Sequence, residues 1–71
     1  MNPKPQIGDI WCCYASDKEE YHLVTNYKFA DPTWYMSDTV EFLSLVGGNH
    51  PYSKHLATRI INNTNHWRKI S

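Results

Sequence analysis

Apolar and polar residues alternate along short segments of this chain, and such alternation predicts β-strands rather than helices. In the segment 7–15, Ile10 and Cys12 point to one side of an extended chain, whereas Trp11 and Cys13 point to the other. β-branched and aromatic residues dominate this segment, which suits the pleated surface of a sheet. We therefore predict a first strand here.

Four later segments have the same character and are separated by polar or turn-forming residues. The further predicted strands are 21–27, 39–46, 56–62 and 66–70. Residues 16–20 are predicted to be an open polar loop, and residues 50–55 a loop or a single helical turn, since Pro51 suits a first helical position. No segment carries a long apolar stripe of helical period. The predicted fold class is all-β, a small barrel of four to five short antiparallel strands with one irregular loop or short helical turn.

A chain of 71 residues has room for one small core, so we expect one domain. Pro3 and Pro5 keep residues 1–6 extended, and residues 7–71 form the predicted barrel. No apolar run approaches the roughly 18 residues of a membrane span. The N-terminus also lacks the apolar region of a secretory signal, so we expect a cytoplasmic protein without a membrane partner.

The formal net charge is zero, although the two parts of the chain differ in sign. Residues 1–49 contain all seven acidic residues and three lysines, whereas residues 50–71 contain four basic residues and no acid. A neutral chain does not suit a protein whose main task is to coat nucleic acid, because that task depends on net positive charge.

The two cysteines are adjacent in sequence, at Cys12 and Cys13. Neighbours in a strand face opposite sides of the sheet, so these thiols do not converge on one metal ion. Zinc sites need a wider cysteine spacing and further ligands, and the four histidines do not supply them. We predict structural cysteines, one in the core and one on the outer face, with no metal and no cofactor.

Catalytic motifs are not evident in this sequence. It contains no nucleophile elbow, no glycine-rich phosphate loop and no paired carboxylates with an obvious cleft. A pocket with a supporting layer of residues also demands more chain than is present. We predict that the protein is not an enzyme.

Aromatic residues are numerous, with three Trp, five Tyr and two Phe. Each ring buries roughly 150–250 Å², so ten rings exceed the needs of so small a core. Several fall outside the best-patterned strands, where an aromatic ring either plugs the barrel end or stays exposed as a binding anchor. The candidate anchors are Phe29, Trp34, Tyr35 and Tyr52.

Three short motifs carry a resemblance to a known group of proteins. They are the Gly-Asp-Ile-Trp opening at 8–11, the Val-Glu-Phe-Leu strand at 40–43 and the Asn-His-Trp-Arg-Lys-Ile-Ser ending at 65–71. Together with the polar hairpin loop at 16–20, they resemble small SH3-like β-barrel proteins encoded by phages and other mobile elements. The resemblance implies a compact SH3-like barrel that binds a host protein, and some small phage proteins of this size block host defence systems. It implies no catalytic residue.

Two functional hypotheses follow, and the first is favoured. In the first, the chain is a non-enzymatic protein-binding module that inhibits a host protein or defence enzyme. Its aromatic anchors would be accompanied by an acidic rim that steers it to a basic partner surface, including one that normally holds nucleic acid. The rim residues are Asp17, Glu19, Glu20 and Asp31.

The alternative is a small nucleic-acid-binding barrel that uses basic residues on phosphates and Tyr52 or Trp67 for base stacking. The basic residues of this second hypothesis are Lys54, Arg59, Arg68 and Lys69. Small barrels with open sheet edges also associate with themselves, so a monomer and a homodimer both stay open.

Overall fold

Five antiparallel strands form one sheet in the computed structural model, which describes residues 1–15, 17–31, 33, 37–46 and 50–71. The elements, in chain order, are β1 (Ile10–Ala15), β2 (Lys18–Lys28), β3 (Thr39–Val46), β4 (Tyr52–Leu56), α1 (Ala57–Asn62) and β5 (Trp67–Lys69). The predicted all-β fold of short antiparallel strands with one short helical segment is confirmed.

The strand order in the sheet is β4-β3-β2-β1-β5, so the first and last strands of the chain are neighbours. In register, Trp11 of β1 lies opposite His22 of β2 and Lys69 of β5. The pairing of β1 with β5 gives β1 hydrogen-bonded neighbours on both sides. It also brings Trp11 and Trp67 into one core.

The sheet curls until its two outer strands face each other. Strands lie about 4.8 Å apart, so in a flat sheet β4 and β5 would be separated by about 19 Å. The rings of His55 on β4 and Trp67 on β5 nevertheless have centroids only 5.0 Å apart. Phe42 on β3 stacks on the same indole at 5.2 Å. The sheet therefore wraps around these side chains in the manner of a small barrel.

The core is built from side chains on the concave face of this sheet and from one face of α1. Burial of these apolar groups is the main source of stability in so small a domain. The buried members of the cluster are Trp11, Val24, Val40, Phe42, Ala57, Ile60 and Trp67.

Both cysteines are free, and they occupy opposite faces of β1. Cys13 packs against the core from the side of Trp11. Cys12 faces outward by strand alternation, yet it is fully buried. Its cross-strand neighbours are Tyr21 and Arg68, and these large side chains lie beside it on the outer face.

The segment between β3 and β5 differs from the prediction. Residues 50–55 were expected to be a loop or helical turn, but Tyr52–Leu56 forms β4. Residues 56–62 were expected to be a strand, but Ala57–Asn62 forms the helix α1. The helix buries Ala57 and Ile60, three residues apart and therefore on one helical face.

Among the described residues, no helix is long and apolar enough to cross a membrane.

The first hairpin is tighter than the open loop predicted for residues 16–20. Ala15 of β1 pairs directly with Lys18 of β2, so Glu19 and Glu20 are strand residues. Asp17 precedes β2 with φ of 68°. Aspartate tolerates this left-handed backbone conformation better than most residues, which is why it suits a short hairpin connection.

Residues 1–6 contain neither helix nor strand, yet they are tied to the rest of the chain. The Asn2 side-chain amide donates hydrogen bonds to the carbonyl oxygens of Ile60 (2.9 Å) and Trp67 (2.8 Å). Pro5 is fully buried. These contacts hold the N-terminal segment along the domain and fix the position of Lys4.

Candidate protein-binding site

A lysine ammonium lies over two aromatic rings where β2 ends. The Lys4 ammonium lies 4.7 Å from the centroid of the Tyr27 ring and 4.6 Å from that of Phe29. The two rings meet edge to face, with centroids 5.1 Å apart. Both ammonium distances fall within the roughly 6 Å range of a cation–π contact. We call Lys4, Tyr27, Phe29 and the neighbouring Asp38 the Lys4 cluster.

A bulge in β2 sets the direction of Tyr27. Val24 pairs with Phe42 of β3, but the next pair is Asn26 with Glu41, so Thr25 has no partner in the ladder. An extra residue in one strand turns the following side chains to the other face. Tyr27 consequently packs against the core cluster, while the chain continues beyond β2 to Phe29.

Asp38 holds Tyr27 and the chain after β2 in place. Its carboxylate accepts a hydrogen bond from the Tyr27 hydroxyl (2.5 Å) and another from the Ala30 amide (2.6 Å). These two bonds, together with the nearby Lys4 ammonium, lower the pKa of Asp38. Burial, reinforced by the bond to Asp38, raises the pKa of Tyr27 to about 12. The cluster therefore carries a carboxylate and a neutral phenol at neutral pH.

The Lys4 cluster borders an open depression of about 290 Å³. Two large apolar side chains stand at its rim, with Phe29 68% and Ile7 65% exposed. The lining residues are Lys4, Pro5, Gln6, Ile7, Tyr27 and Phe29. Exposed aromatic and aliphatic groups around a concave surface are typical of an interface, since association removes them from water.

A second depression, of about 310 Å³, lies beside β4. It is lined by Thr25, Glu41, Phe42, Tyr52, Ser53 and Lys54. Tyr52 is 71% exposed. Glu41, at its base, pairs with Lys28 (3.1 Å) and with Lys54 (3.8 Å). This surface has two ammonium groups around one carboxylate, so it is more positive than the Lys4 cluster, which has one of each.

The predicted aromatic anchors do not form one group. Phe29 and Tyr52 are both exposed, but Phe29 follows the end of β2, whereas Tyr52 lies in register with Leu43 and, across β3, with Leu23. Five residues of β2 therefore separate the position of Phe29 from the position level with Tyr52, which is about 16 Å along a strand. Trp34 and Tyr35 lie outside the described residues.

The predicted acidic rim is divided between the two ends of β2. Asp17, Glu19 and Glu20 lie at its start, whereas Asp31 follows its end. The strand is 11 residues long, so the two groups are about 33 Å apart along it. At the start, Glu19 accepts a hydrogen bond from the Tyr21 hydroxyl, and Glu20 is half-buried beside His22. Asp31 instead lies near the Lys4 cluster.

The basic residues of the nucleic-acid hypothesis are distributed over three elements. Lys54 lies on β4 and Arg59 on α1, while Arg68 and Lys69 lie on β5 at the other end of the strand order. Lys54 pairs with Glu41, and Lys69 lies 3.7 Å from an Asp9 carboxylate oxygen. Arg68 and Lys69 are neighbours in β5, so their side chains point to opposite faces of the sheet, and the described structure does not gather the four basic residues into one patch.

Two histidines enter the core, a feature that sequence spacing did not reveal. His22 from β2 and His55 from β4 both contact the rings of Phe42 and Trp67. Burial lowers the pKa of each imidazole. Within the described part of the chain, no group of three or more His, Cys, Asp or Glu residues could hold a metal ion.

The thiol environment does not favour nucleophilic chemistry. Burial and the negative charge of Glu20 raise the pKa of Cys13 to about 11. A reactive cysteine requires the opposite shift, because the thiolate is the nucleophile. Cys12 is buried.

Of the four residues of the Lys4 cluster, only Phe29 was predicted from the sequence, whereas Lys4, Tyr27 and Asp38 were not. Tyr27 and Phe29 are two residues apart at a strand end, a spacing that places alternate side chains on one side. This spacing could have revealed Tyr27 in the sequence. The contact of Lys4 with the two rings could not have been predicted, because it depends on how residues 1–6 fold back along the domain.

Comparisons of this chain with protein-family models, with curated proteins and with solved structures found no match.

Proposed function

We propose that this chain is a non-enzymatic protein-binding module that docks through the surface around Phe29. The observation that carries the proposal is the 68% exposure of this aromatic ring beside a depression with a second exposed apolar side chain, Ile7. Leaving such groups in water is unfavourable, whereas burying them at an interface stabilises a complex.

The charge near this surface suits a basic partner. Asp38 belongs to the Lys4 cluster, and Asp31 is exposed just beyond β2. Carboxylates beside an apolar anchor steer a positively charged surface and discriminate against an acidic one. The resemblance to small phage-encoded SH3-like barrels extends the proposal to a host protein as the partner. Occupying a basic surface of that protein would inhibit it, which is the anti-defence role expected from the sequence.

A nucleic-acid-binding role has less support. Lys54 and Lys69 already contact carboxylates, so their pairing with phosphates would first break these contacts. Four basic residues spread over three elements also give little counterion release on binding. The raised pKa of Cys13 likewise supports a binding module rather than a thiol-dependent enzyme.

Affinity capture tests the proposal. The chain carries a C-terminal tag, because the N-terminus lies beside the candidate surface, and is exposed to a nuclease-treated lysate of the cells that carry the gene. We expect a partner protein to be retained by the wild type and lost with Phe29→Ala. Ile70→Ala, which removes an exposed apolar side chain on a different strand end, is the matched control and keeps the partner. Identical captured proteins for wild type and Phe29→Ala, or capture that nuclease abolishes, would contradict the proposal.

A further inference from the structure

We propose that Tyr27, Phe29 and Asp38 form a binding site for a lysine or arginine side chain of the partner protein, and that Lys4 fills this site in the free chain. This inference rests on the proposed function and names the chemistry of its main contact.

The position of Lys4 shows which chemical group the site accepts. Its ammonium contacts two ring faces at 4.7 and 4.6 Å. Aromatic faces carry negative electrostatic potential, so a pair of them selects a cation over a neutral or acidic group. The rings are held at 60° to each other, which leaves one shared location for the positive charge.

Asp38 adds a negative charge near this location, which attracts the Lys4 ammonium electrostatically although the two groups make no ion pair. Its carboxylate is held by the Tyr27 hydroxyl and the Ala30 amide, so it is fixed before any partner arrives. A guanidinium or ammonium group that enters the site is therefore attracted by a fixed carboxylate nearby as well as by the two rings. An acidic or neutral side chain would lose both interactions.

Lys4 can leave without unfolding the domain. Its backbone is fixed by neighbouring residues, with Asn2 hydrogen-bonded to Ile60 and Trp67 and with Pro5 buried. The side chain itself is exposed, and it makes no ion pair with any residue that the structure describes. Rotation about its own bonds is enough to open the site. Lys4 is thus a resident competitor that a partner side chain displaces.

The same geometry explains how a basic surface can dock beside a lysine. With Lys4 in place, its positive charge offsets the negative charge of Asp38, and the two rings already contact a cation in the free protein. When Lys4 swings out, the site regains its negative character, and the incoming cation takes over the contacts. Removal of Lys4 should therefore increase the affinity for a cationic ligand, whereas a purely structural role predicts no such gain.

NMR titration tests this competition directly. The probes are three capped tripeptides, acetyl-Gly-Lys-Gly-amide, acetyl-Gly-Arg-Gly-amide and the neutral acetyl-Gly-Gln-Gly-amide. The protein has ¹³C-labelled Phe and Tyr rings, and the signals of Tyr27 and Phe29 report binding. The variants are Lys4→Gln and the matched control Lys18→Gln, which makes the same change in net charge at the opposite end of β2.

We expect Lys4→Gln to bind the Lys and Arg peptides about three- to ten-fold more tightly than the wild type, because the competitor is gone. Lys18→Gln should match the wild type, and the Gln peptide should leave the ring signals unchanged. Adding Phe29→Leu to Lys4→Gln should abolish the gain. Equal affinities for wild type and Lys4→Gln, or equal shifts with the neutral peptide, would overturn the inference.

The two proposals fail separately. If a partner is captured through Phe29 but cationic peptides do not bind the rings, the cation site is wrong and the protein-binding function stands. If cationic peptides bind but no protein is captured, the site stands and the proposed function fails.

Discussion

The imidazole of His55 packs edge-on against the indole of Trp67, with ring centroids 5.0 Å apart and ring planes at 69°. His22 approaches the same indole from another strand, at 6.0 Å. Two titratable rings thus occupy places where a small domain would ordinarily put aliphatic or phenyl groups. Because burial lowers the pKa of both, they pack in the neutral form at neutral pH.

This arrangement predicts a loss of stability in mild acid. An unfolded histidine takes up a proton below about pH 6.5, whereas the buried folded ones resist it. The unfolded state therefore binds more protons as the pH falls below that value, and the free energy of unfolding decreases. The charges near His55 are Arg59 and His22, which oppose its protonation, and Glu20, which favours it. Glu20 also favours protonation of His22 but does not outweigh burial.

Urea unfolding at pH 7 and pH 5 measures this effect. We expect the free energy of unfolding to be lower at pH 5 than at pH 7, because only the unfolded state takes up these protons readily. Asp38 and Glu41 have lowered pKa values, so their contributions persist across this range and disappear only below about pH 4. His55→Phe should reduce the pH dependence, whereas His50→Phe, at an exposed position, should not. A wild type equally stable at both pH values would refute the proposed role of the buried imidazoles.

Phe42 is a core residue whose loss should be strongly destabilising. It is fully buried and stacks on Trp67, so Phe42→Ala leaves a large cavity. Such truncations cost about 3–5 kcal/mol. A domain of this size has only about 4–10 kcal/mol in total, so we expect a variant that is largely or partly unfolded at 25 °C. Circular dichroism during thermal melting measures this.

Phe29→Ala is the matched control for that experiment, because the same side chain is removed from an exposed position. We expect a much smaller loss of about 1 kcal/mol, because an exposed ring gives up only its contacts with Tyr27 and Lys4. If both phenylalanine variants lost stability equally, the assignment of one ring to the core and the other to a binding surface would be untenable.

The two thiols should react slowly in the native protein. Cys12 is buried, and Cys13 has a pKa raised to about 11, so little thiolate is accessible at pH 7.5. We expect slow alkylation by iodoacetamide without denaturant and modification of both thiols in urea, followed by mass spectrometry. Rapid modification of either thiol in the folded protein would show that its environment differs from the one described.

Asn2 should stabilise the whole domain although it lies near the chain start. Its side-chain amide donates hydrogen bonds to the carbonyl oxygens of Ile60 and Trp67, and no other described side chain donates to either of them. Two hydrogen bonds of about 0.5–1.5 kcal/mol each predict a loss of roughly 1–3 kcal/mol for Asn2→Ala. Gln6→Ala, at an exposed position in the same segment, should have little effect. Equal melting temperatures for the two variants would argue against a clamped N-terminal segment.

Sequence patterning predicted β3 with its observed bounds, because Val40 and Phe42 alternate with outward-facing residues. The same patterning did not predict β4. The inward-facing residues of this strand, Ser53 and His55, are polar, so the sequence shows no alternation of apolar and polar residues there. The patterning also failed at α1, since Ile60 and Ile61 favour a strand and six residues are too few to display a helical period.

The candidate binding surface was only partly predictable for a related reason. Phe29 stood out as an aromatic residue beyond a strand, which is a local property. Its contact with Lys4 joins residues 25 positions apart and depends on the fixed return of the N-terminal segment, which rests on hydrogen bonds to α1 and β5. Long-range contacts of this kind leave no periodic signal in a single sequence.

The central claim, that the surface at Phe29 contacts a partner protein, is tested most directly by photo-crosslinking. Benzoylphenylalanine replaces Phe29 in one variant and Lys18, at the far end of β2, in another. Irradiation in a lysate of the cells that carry the gene should join the first variant to one protein, identified by mass spectrometry, and leave the second unlinked. Adducts that are the same for both positions, or none at either, would contradict the account.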